Sequence, residues 1–229
     1  MIRDKKILAV IPARGGSKRL PRKNIKKFRG KALITWTIET ALKSKYLDRV
    51  IVSTEDKKIA QLSKRYGAEV IKRPKSLSTD RARVEDAVFH TLSVLKKQNY
   101  EPDVVVLLQP TSPLRTRKDI DEAIAKFLKN ECNSLISVCE ASPSPYWSFR
   151  IQDGYLEPFA GWKYLKMRSQ DIPRTYMANG AIYISTPKNL FKNKSFYCKK
   201  ILPYIMPKER SIDIDDEIDF KLAELLLRR

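Results

Sequence analysis

The sequence predicts a doubly wound α/β fold on a mainly parallel, Rossmann-like sheet. Three observations predict it. Strand and helix patterns alternate from the start of the chain to about residue 140. The strand segments Ile7–Pro12 and Asp103–Gln109 are short apolar runs, the second unbroken from Val104 to Leu108, as a sheet covered on both faces requires. The helical segments instead carry apolar residues at three- and four-residue spacing.

Taken in order, Ile7–Pro12 is a buried strand, followed by a helix over Leu33–Lys45 with Ile34, Ile38, Ala41 and Leu42 on one face. Arg49–Ser53 is the next strand, and Asp56–Tyr66 is a helix that Gly67 closes. Glu69–Ile71 is a short strand, and Val84–Gln98 is a helix with Val84, Val88, Leu92 and Leu95 in register. Asp103–Gln109 is the most apolar strand, as expected at a sheet centre, and Lys118–Asn130 and Ser134–Cys139 add one more helix and strand. The rhythm then breaks. Ser142–Asp171 is proline-rich and aromatic, with a hairpin expected at Asp153–Gly154. Gly180–Ser185 restores strand character, Phe191–Tyr204 reads as irregular, and Asp215–Arg229 reads as a helix facing Ile218, Leu222, Leu225 and Leu226 inward. The 229 residues therefore form a single domain, with an inserted subregion over about 142–204.

At 42% hydrophobic residues the chain can fill a core, and no apolar run is long enough to span a membrane or form a signal-peptide core. A cytoplasmic location is expected. Cys132, Cys139 and Cys198 are widely spaced and make neither a metal pattern nor a disulfide framework. The formal charge of +20 favours anionic partners, and its distribution narrows them. Residues 1–31 hold twelve Lys/Arg against one acid, whereas Glu209–Asp219 holds six acids against one Arg. A basic loop with a separate acidic cluster suits a triphosphate handled together with a divalent metal. Outside the loop, the excess charge is equally well a solvated lysine-rich surface.

Ligands of open α/β sheets bind at the carboxyl ends of the strands. Pro12–Asn24, Gln109–Arg115 and Asn179–Gly180 are expected to converge there. In the first segment, Gly15 and Gly16 suit close approach of an anion, and Arg14, Lys18 and Lys23 suit phosphate oxygens. The spacing fits neither a Walker loop nor a dinucleotide fingerprint. Gln109 ends an apolar strand at the ligand edge, where its amide can read a hydroxyl or carboxylate; Pro110 and Pro113 equally impose a simple turn. Alternation puts Asp213 and Asp215 on one side of an extended segment, a hard oxygen pair suited to Mg²⁺. Asp215 is also a natural N-cap for the last helix. The single histidine, His90, lies within a helix and reads as a packing residue.

Five motifs in order, Pro12–Lys18, Lys23-Asn24, Gln109–Arg115, Asn179–Tyr183 and Ser211–Asp215, resemble those of the acylneuraminate cytidylyltransferases. The resemblance spans nearly the whole chain. It implies that CTP and an acidic nine-carbon keto-sugar give the CMP-sugar and pyrophosphate, by attack of the anomeric hydroxyl on the α-phosphorus. It implies that Arg14, Gly15, Ser17 and Lys18 hold the triphosphate, that Lys23 stands by the α-phosphate and that Asn24 contacts the nucleotide. Arg73 then reads cytosine, with a backbone contact at Ala82. Gln109, Asn179 and Tyr183 contact the sugar, and Asp213 and Asp215 hold Mg²⁺. Phe196 and Tyr197 reach into a neighbouring subunit's sugar site, so a homodimer is implied, with no membrane or specific nucleic-acid partner.

Departures from the family pattern bear on the base and the sugar. Arg81, Arg83 and Val84 stand where small Thr/Ser residues are usual. Trp147 replaces a lysine found in sialic-acid enzymes, and Arg168 is displaced by one place from an expected arginine, with Ser169 there instead. A legionaminate-like acid is thus as open as N-acetylneuraminate. A Kdo-type cytidylyltransferase is expected to lack Gln109–Arg115, and a basic nucleic-acid-binding module is opposed by Asp213–Asp219.

Overall fold

The computed structural model describes residues 5–227. Strand β1 (Ile7–Pro12) is followed by a small hairpin, β2 (Lys27–Phe28) and β3 (Lys31–Ala32), and then α1 (Leu33–Leu42). Next come β4 (Arg49–Thr54), α2 (Lys57–Arg65), β5 (Glu69–Lys72), α3 (Val84–Lys97), β6 (Val104–Leu107), α4 (Arg117–Lys129) and β7 (Ser134–Glu140). The hairpin β8 (Phe149–Gln152) and β9 (Tyr155–Pro158), the short α5 (Trp162–Leu165), β10 (Tyr176–Ser185), α6 (Pro187–Asn193), β11 (Ile201–Ile205) and α7 (Glu217–Leu226) complete the chain.

The central sheet has the order β11-β7-β10-β6-β1-β4-β5. All its pairings are parallel except those of β10, which runs against both β6 and β7. The alternation of β1 shows how helices cover both faces. Ile7, Ala9 and Ile11 enter one cluster with Ile34, Ile38, Ile120 and Ile124 of α1 and α4. Leu8 and Val10 enter the other with Val88, Leu92 and Leu95 of α3. No described helix is long and apolar enough to cross a membrane.

Four sequence expectations need correction. The strand at Gly180 begins at Tyr176 and is antiparallel, because the aromatic excursion returns the chain from the opposite end of the sheet. Phe191–Tyr204 is not irregular: Thr186 caps α6, and β11 pairs with β7 alone. Pro203 argues against a central strand but is tolerated on this edge. Asp216, not Asp215, caps α7, accepting from the N–H groups of Ile218 and Asp219. The face of α7 also differs. Phe220 and Ala223 are buried, whereas Ile218, Leu222, Leu225 and Leu226 are exposed. The edge-on contact of Phe220 with Phe28, at 5.3 Å, sets that orientation. Arg228 and Arg229 lie outside the described residues.

The Asp153–Gly154 hairpin forms as expected, with both turn residues at positive φ. Phe149, Ile151 and Leu156 share one exposed apolar face, and an Arg150–Glu157 ion pair lies on the other.

A buried carboxylate anchors the C-terminal segment. Asp119, 1% exposed, accepts from Arg210 Nε and Nη2 at 3.0 and 2.8 Å, from Thr116 and from the Tyr204 hydroxyl. Burial pushes this carboxyl up, but the hydrogen bonds of Arg210 and Thr116 outweigh it and hold it below the usual range. Its stabilisation is therefore complete above the unfolded value and lost as pH falls through the folded one. Arg210→Ala is expected to cost about 2 kcal/mol in urea unfolding at neutral pH, because Asp119 stays buried with fewer partners. The acid-side loss of stability should shrink in the variant, and an unchanged unfolding midpoint would contradict the assignment.

Candidate active site

A cavity of about 480 Å³ opens at the carboxyl ends of β1, β5 and β6. Arg14, Ser17, Lys18, Lys23 and Asn24 from the loop after β1 border it, together with Arg73, Ala82, Gln109 and Asp215. Segments far apart in sequence meet here because the parallel strands end at one level.

Local bonds hold the loop in shape. Asn24 is buried and donates from Nδ2 to the Arg14 carbonyl at 2.9 Å, while its Oδ1 has no partner among the described residues. The Gly15 N–H donates to Glu55 Oε1 at 2.7 Å. Neither Gly15 nor Gly16 has positive φ. A Cβ on Gly15 would lie 2.7 Å from Asp56 Oδ2, whereas Gly16 faces open space. A glycine at 15 leaves room for the Asp56 side chain, and its N–H is already given to Glu55, so it is not free for an anion.

The cations are paired with acids. Arg14 Nη1 and Lys18 Nζ reach Asp80 at 2.9 and 2.7 Å, and Arg14 also donates to the Thr79 carbonyl. The two cations, Lys18 first, hold the exposed Asp80 carboxyl below its usual range. Arg19 and Lys23 reach Asp215 at 2.9 and 3.2 Å. Arg73 is 6% exposed; its Nη2 donates to Glu55 at 3.1 Å and its Nε to Ser78 Oγ at 3.0 Å.

The acidic segment is fixed through Ile214. Its side chain is fully buried with Leu20, Phe28 and Leu114, its N–H donates to the Thr111 carbonyl at 2.8 Å, and its carbonyl accepts from Lys23 Nζ at 2.6 Å. Asp213 and Asp215 flank this anchor. Asp213 is half-buried, its Oδ1 has no hydrogen-bond partner among the described residues, and its Oδ2 would be 2.8 Å from a Cβ on Gly180. Burial raises the Asp213 carboxyl and the Asp215 charge adds to the rise, while Thr111 and Lys23 oppose it. No group of three or more His, Cys, Asp or Glu suited to a metal occurs among the described residues. Two carboxylates, one with an orphaned buried oxygen, do fit a hard cation that takes its remaining ligands from phosphate and water.

The family profile that matches the chain is the one described as Cytidylyltransferase, aligned over residues 8–214. The chain belongs to the cytidylyltransferase family. The enzyme is 40% identical over 226 residues to the CMP-N,N'-diacetyllegionaminic acid synthase of Legionella pneumophila, covering 97% of this chain and 96% of the relative. It is 34% identical over 224 residues to a pseudaminic acid cytidylyltransferase of Campylobacter jejuni, covering 97% of each. An N-acylneuraminate cytidylyltransferase of Escherichia coli is 38% identical over 219 residues, covering 95% of this chain and 51% of that protein. The fold matches a solved CMP:2-keto-3-deoxy-manno-octonic acid synthetase complexed with CTP, at TM-score 0.72 and 19% identity, covering 97% and 98%.

The residues expected to contact sugar divide. Gln109 borders the enzyme's cavity, its Oε1 accepting from Thr111 at 3.3 Å. Asn179 does not border it. Asn179 and Gly180 lie in a bulge where residues 179–182 of β10 face Ser137 alone. There Asn179 Oδ1 accepts from Ser137 Oγ at 2.6 Å and its Nδ2 donates to Ser211 at 2.9 Å, so its polar atoms hold the bulge. Tyr183 is buried between Phe196 and Tyr197, and burial, then Tyr197, pushes its hydroxyl far up. Phe196 is 1% exposed within the enzyme's own core, which corrects its expected reach into a neighbour; Tyr197 is exposed beside it.

Other expectations resolve the same way. Arg115 pairs with no carboxylate among the described residues. It donates to the Ala181 and Gln109 carbonyls and to Thr37, and burial pushes it down to about 9. Trp147 donates to the Tyr164 carbonyl, and Arg168 pairs with Asp171. Sequence reasoning missed Glu55, Asp80 and Arg19. Glu55 follows β4 at the ligand edge, a placement that marks it. The pairings of Asp80 and Arg19 carried no local signal.

Asp213→Asn should raise the thermal midpoint at neutral pH in chelator. A carboxyl raised in the folded state is destabilising once ionised, and the amide removes that charge beside Asp215. A lower midpoint would show that the charge is satisfied in the native protein.

Proposed function

We propose that the enzyme transfers CMP from CTP to the anomeric hydroxyl of a nonulosonic acid, releasing pyrophosphate. The observation that carries this reading is the convergence on one cavity of Arg14, Lys18 and Lys23, the buried Arg73, Gln109 and Asp215. Such a displacement asks the protein chiefly for positioning and charge neutralisation. Arg14, Ser17 and Lys18 suit the triphosphate, and any anion taking Arg14 and Lys18 competes with Asp80. Lys23, fixed on the Ile214 carbonyl, suits the α-phosphate. Arg73 suits the base. Gln109 suits a sugar hydroxyl or carboxylate.

Asp213 and Asp215 would hold Mg²⁺, which would supply positive charge to offset the negative charge that develops on the phosphates. The relatives' names point to legionaminic, pseudaminic and N-acylneuraminic acids, and legionaminic acid is the first to try. A cytoplasmic location goes with this reading. So does a homodimer, because two strands alone rarely hold an exposed apolar face in water. A second copy covering Phe149, Ile151 and Leu156 accounts for that face.

Pyrophosphate release should require CTP, a nonulosonic acid and Mg²⁺ together, and Asp215→Asn should lower it at least a hundredfold with the fold retained. Absence of release with every such acid would overturn the assignment. In sedimentation the protein should run as a dimer, and Ile151→Glu as a monomer; a monomeric native protein would refute the dimer.

A further inference from the structure

We propose that Glu55 is a positioning residue for nucleotide recognition, tying the loop that faces the phosphates to the arginine that faces the base. This rests on the reading of the cavity as a nucleoside triphosphate site. Glu55 is the first residue after β4, at the level where the parallel strands end. Its two oxygens serve different parts of the site. Oε1 takes the Gly15 N–H at 2.7 Å. Oε2 takes Arg73 Nη2 at 3.1 Å and Ser78 Oγ at 2.8 Å. Ser78 Oγ is in turn 3.0 Å from Arg73 Nε, so Glu55, Arg73 and Ser78 close a ring.

Several observations make this more than one surface ion pair. Both partners are shielded, with side chains 6% exposed for Arg73 and 16% for Glu55. Burial pushes the Glu55 carboxyl up, but the bonds from Gly15, Ser78 and Arg73 hold it below its usual range. A Cβ on Gly15 would crowd the side chain of Asp56, the residue next to Glu55. Arg73, Ser78 and Arg14 border the cavity, whereas Glu55 does not. Glu55 therefore acts on the ligand through others. Arg73 Nη1 makes no hydrogen bond within the chain among the described residues, so the clamp leaves one edge of the guanidinium for a base.

An amide cannot replace this carboxylate. Three donors converge on Glu55, so in Glu55→Gln the –NH₂ group meets either the Gly15 N–H or the Arg73–Ser78 pair. Loss of pre-set geometry should weaken the nucleotide's ground and transition states alike. In steady-state assays, Glu55→Gln is expected to raise KM for CTP at least tenfold and to lower kcat less than threefold. The preference for CTP over UTP should fall at least tenfold, and inhibition by tripolyphosphate should weaken at least fivefold. A merely structural role would not move base preference. Ser78→Ala, which leaves the Gly15 bond intact, should lower base preference but leave tripolyphosphate inhibition within twofold.

If Glu55→Gln loses kcat with KM and base preference unchanged, the proposal is wrong. If that variant fails to fold, Ser78→Ala decides, and an unchanged CTP preference there overturns the clamp. If the unmodified protein turns over no nucleotide, the underlying reading fails as well. If it turns over CTP and Glu55→Gln matches it, only this inference fails.

Discussion

The site depends on how one aliphatic residue is held. Ile214 buries its side chain among Leu20, Phe28 and Leu114 while both of its backbone polar groups bond to the walls of the cavity. Burial of an isoleucine is worth about 1.5–3 kcal/mol, and it fixes the segment without using either flanking carboxylate. Extended backbone then turns Asp213 and Asp215 away from the hydrophobic cluster. A segment some 190 residues downstream is thereby held against the basic loop. Asp119 and Arg210 fix the same segment from its upstream side.

Around that anchor, burial and charge are balanced differently on the two sides of the cavity. The basic side is a loop whose four cations share two acids, Arg14 and Lys18 on Asp80 and Arg19 and Lys23 on Asp215. The pairs of Arg14, Lys18 and Arg19 are exposed, and such pairs are weak and readily exchanged for another anion. Asp213 is different: it is desolvated beside like charge, at a cost that a bound cation would offset. Glu55 and Arg73 lie between these extremes, buried enough to be rigid and bonded enough to remain charged.

The bulge in β10 shows how such a site is built on a regular sheet. Four residues oppose one, Gly180 takes positive φ, and Asn179 and Ser137 fill the hydrogen bonds the ladder loses. The extra length brings Gly180 against Asp213 at a separation no other residue tolerates. A local departure from sheet geometry thus makes room for a carboxylate that the acidic segment delivers.

How much was legible beforehand follows from the range of each interaction. The parallel core, the basic loop, Gln109 and the Asp213–Asp215 pair were readable, because apolar runs, strand-end positions and alternation are properties of consecutive residues. The antiparallel return of β10, the edge strand β11 and the inward face of α7 were not, because each is decided by a partner distant in sequence. Asp215 shows the division most plainly. Its sequence position suits either a helix cap or a metal ligand, and only the folded chain gave capping to Asp216. Asn179 and Phe196 show the reverse, motif residues whose atoms the tertiary structure commits to the bulge and the core. The sequence by itself determined which chemistry gathers at the strand ends. The tertiary structure decided which side chains are free to take part, since a hydrogen bond or a buried surface already used cannot be offered to a ligand.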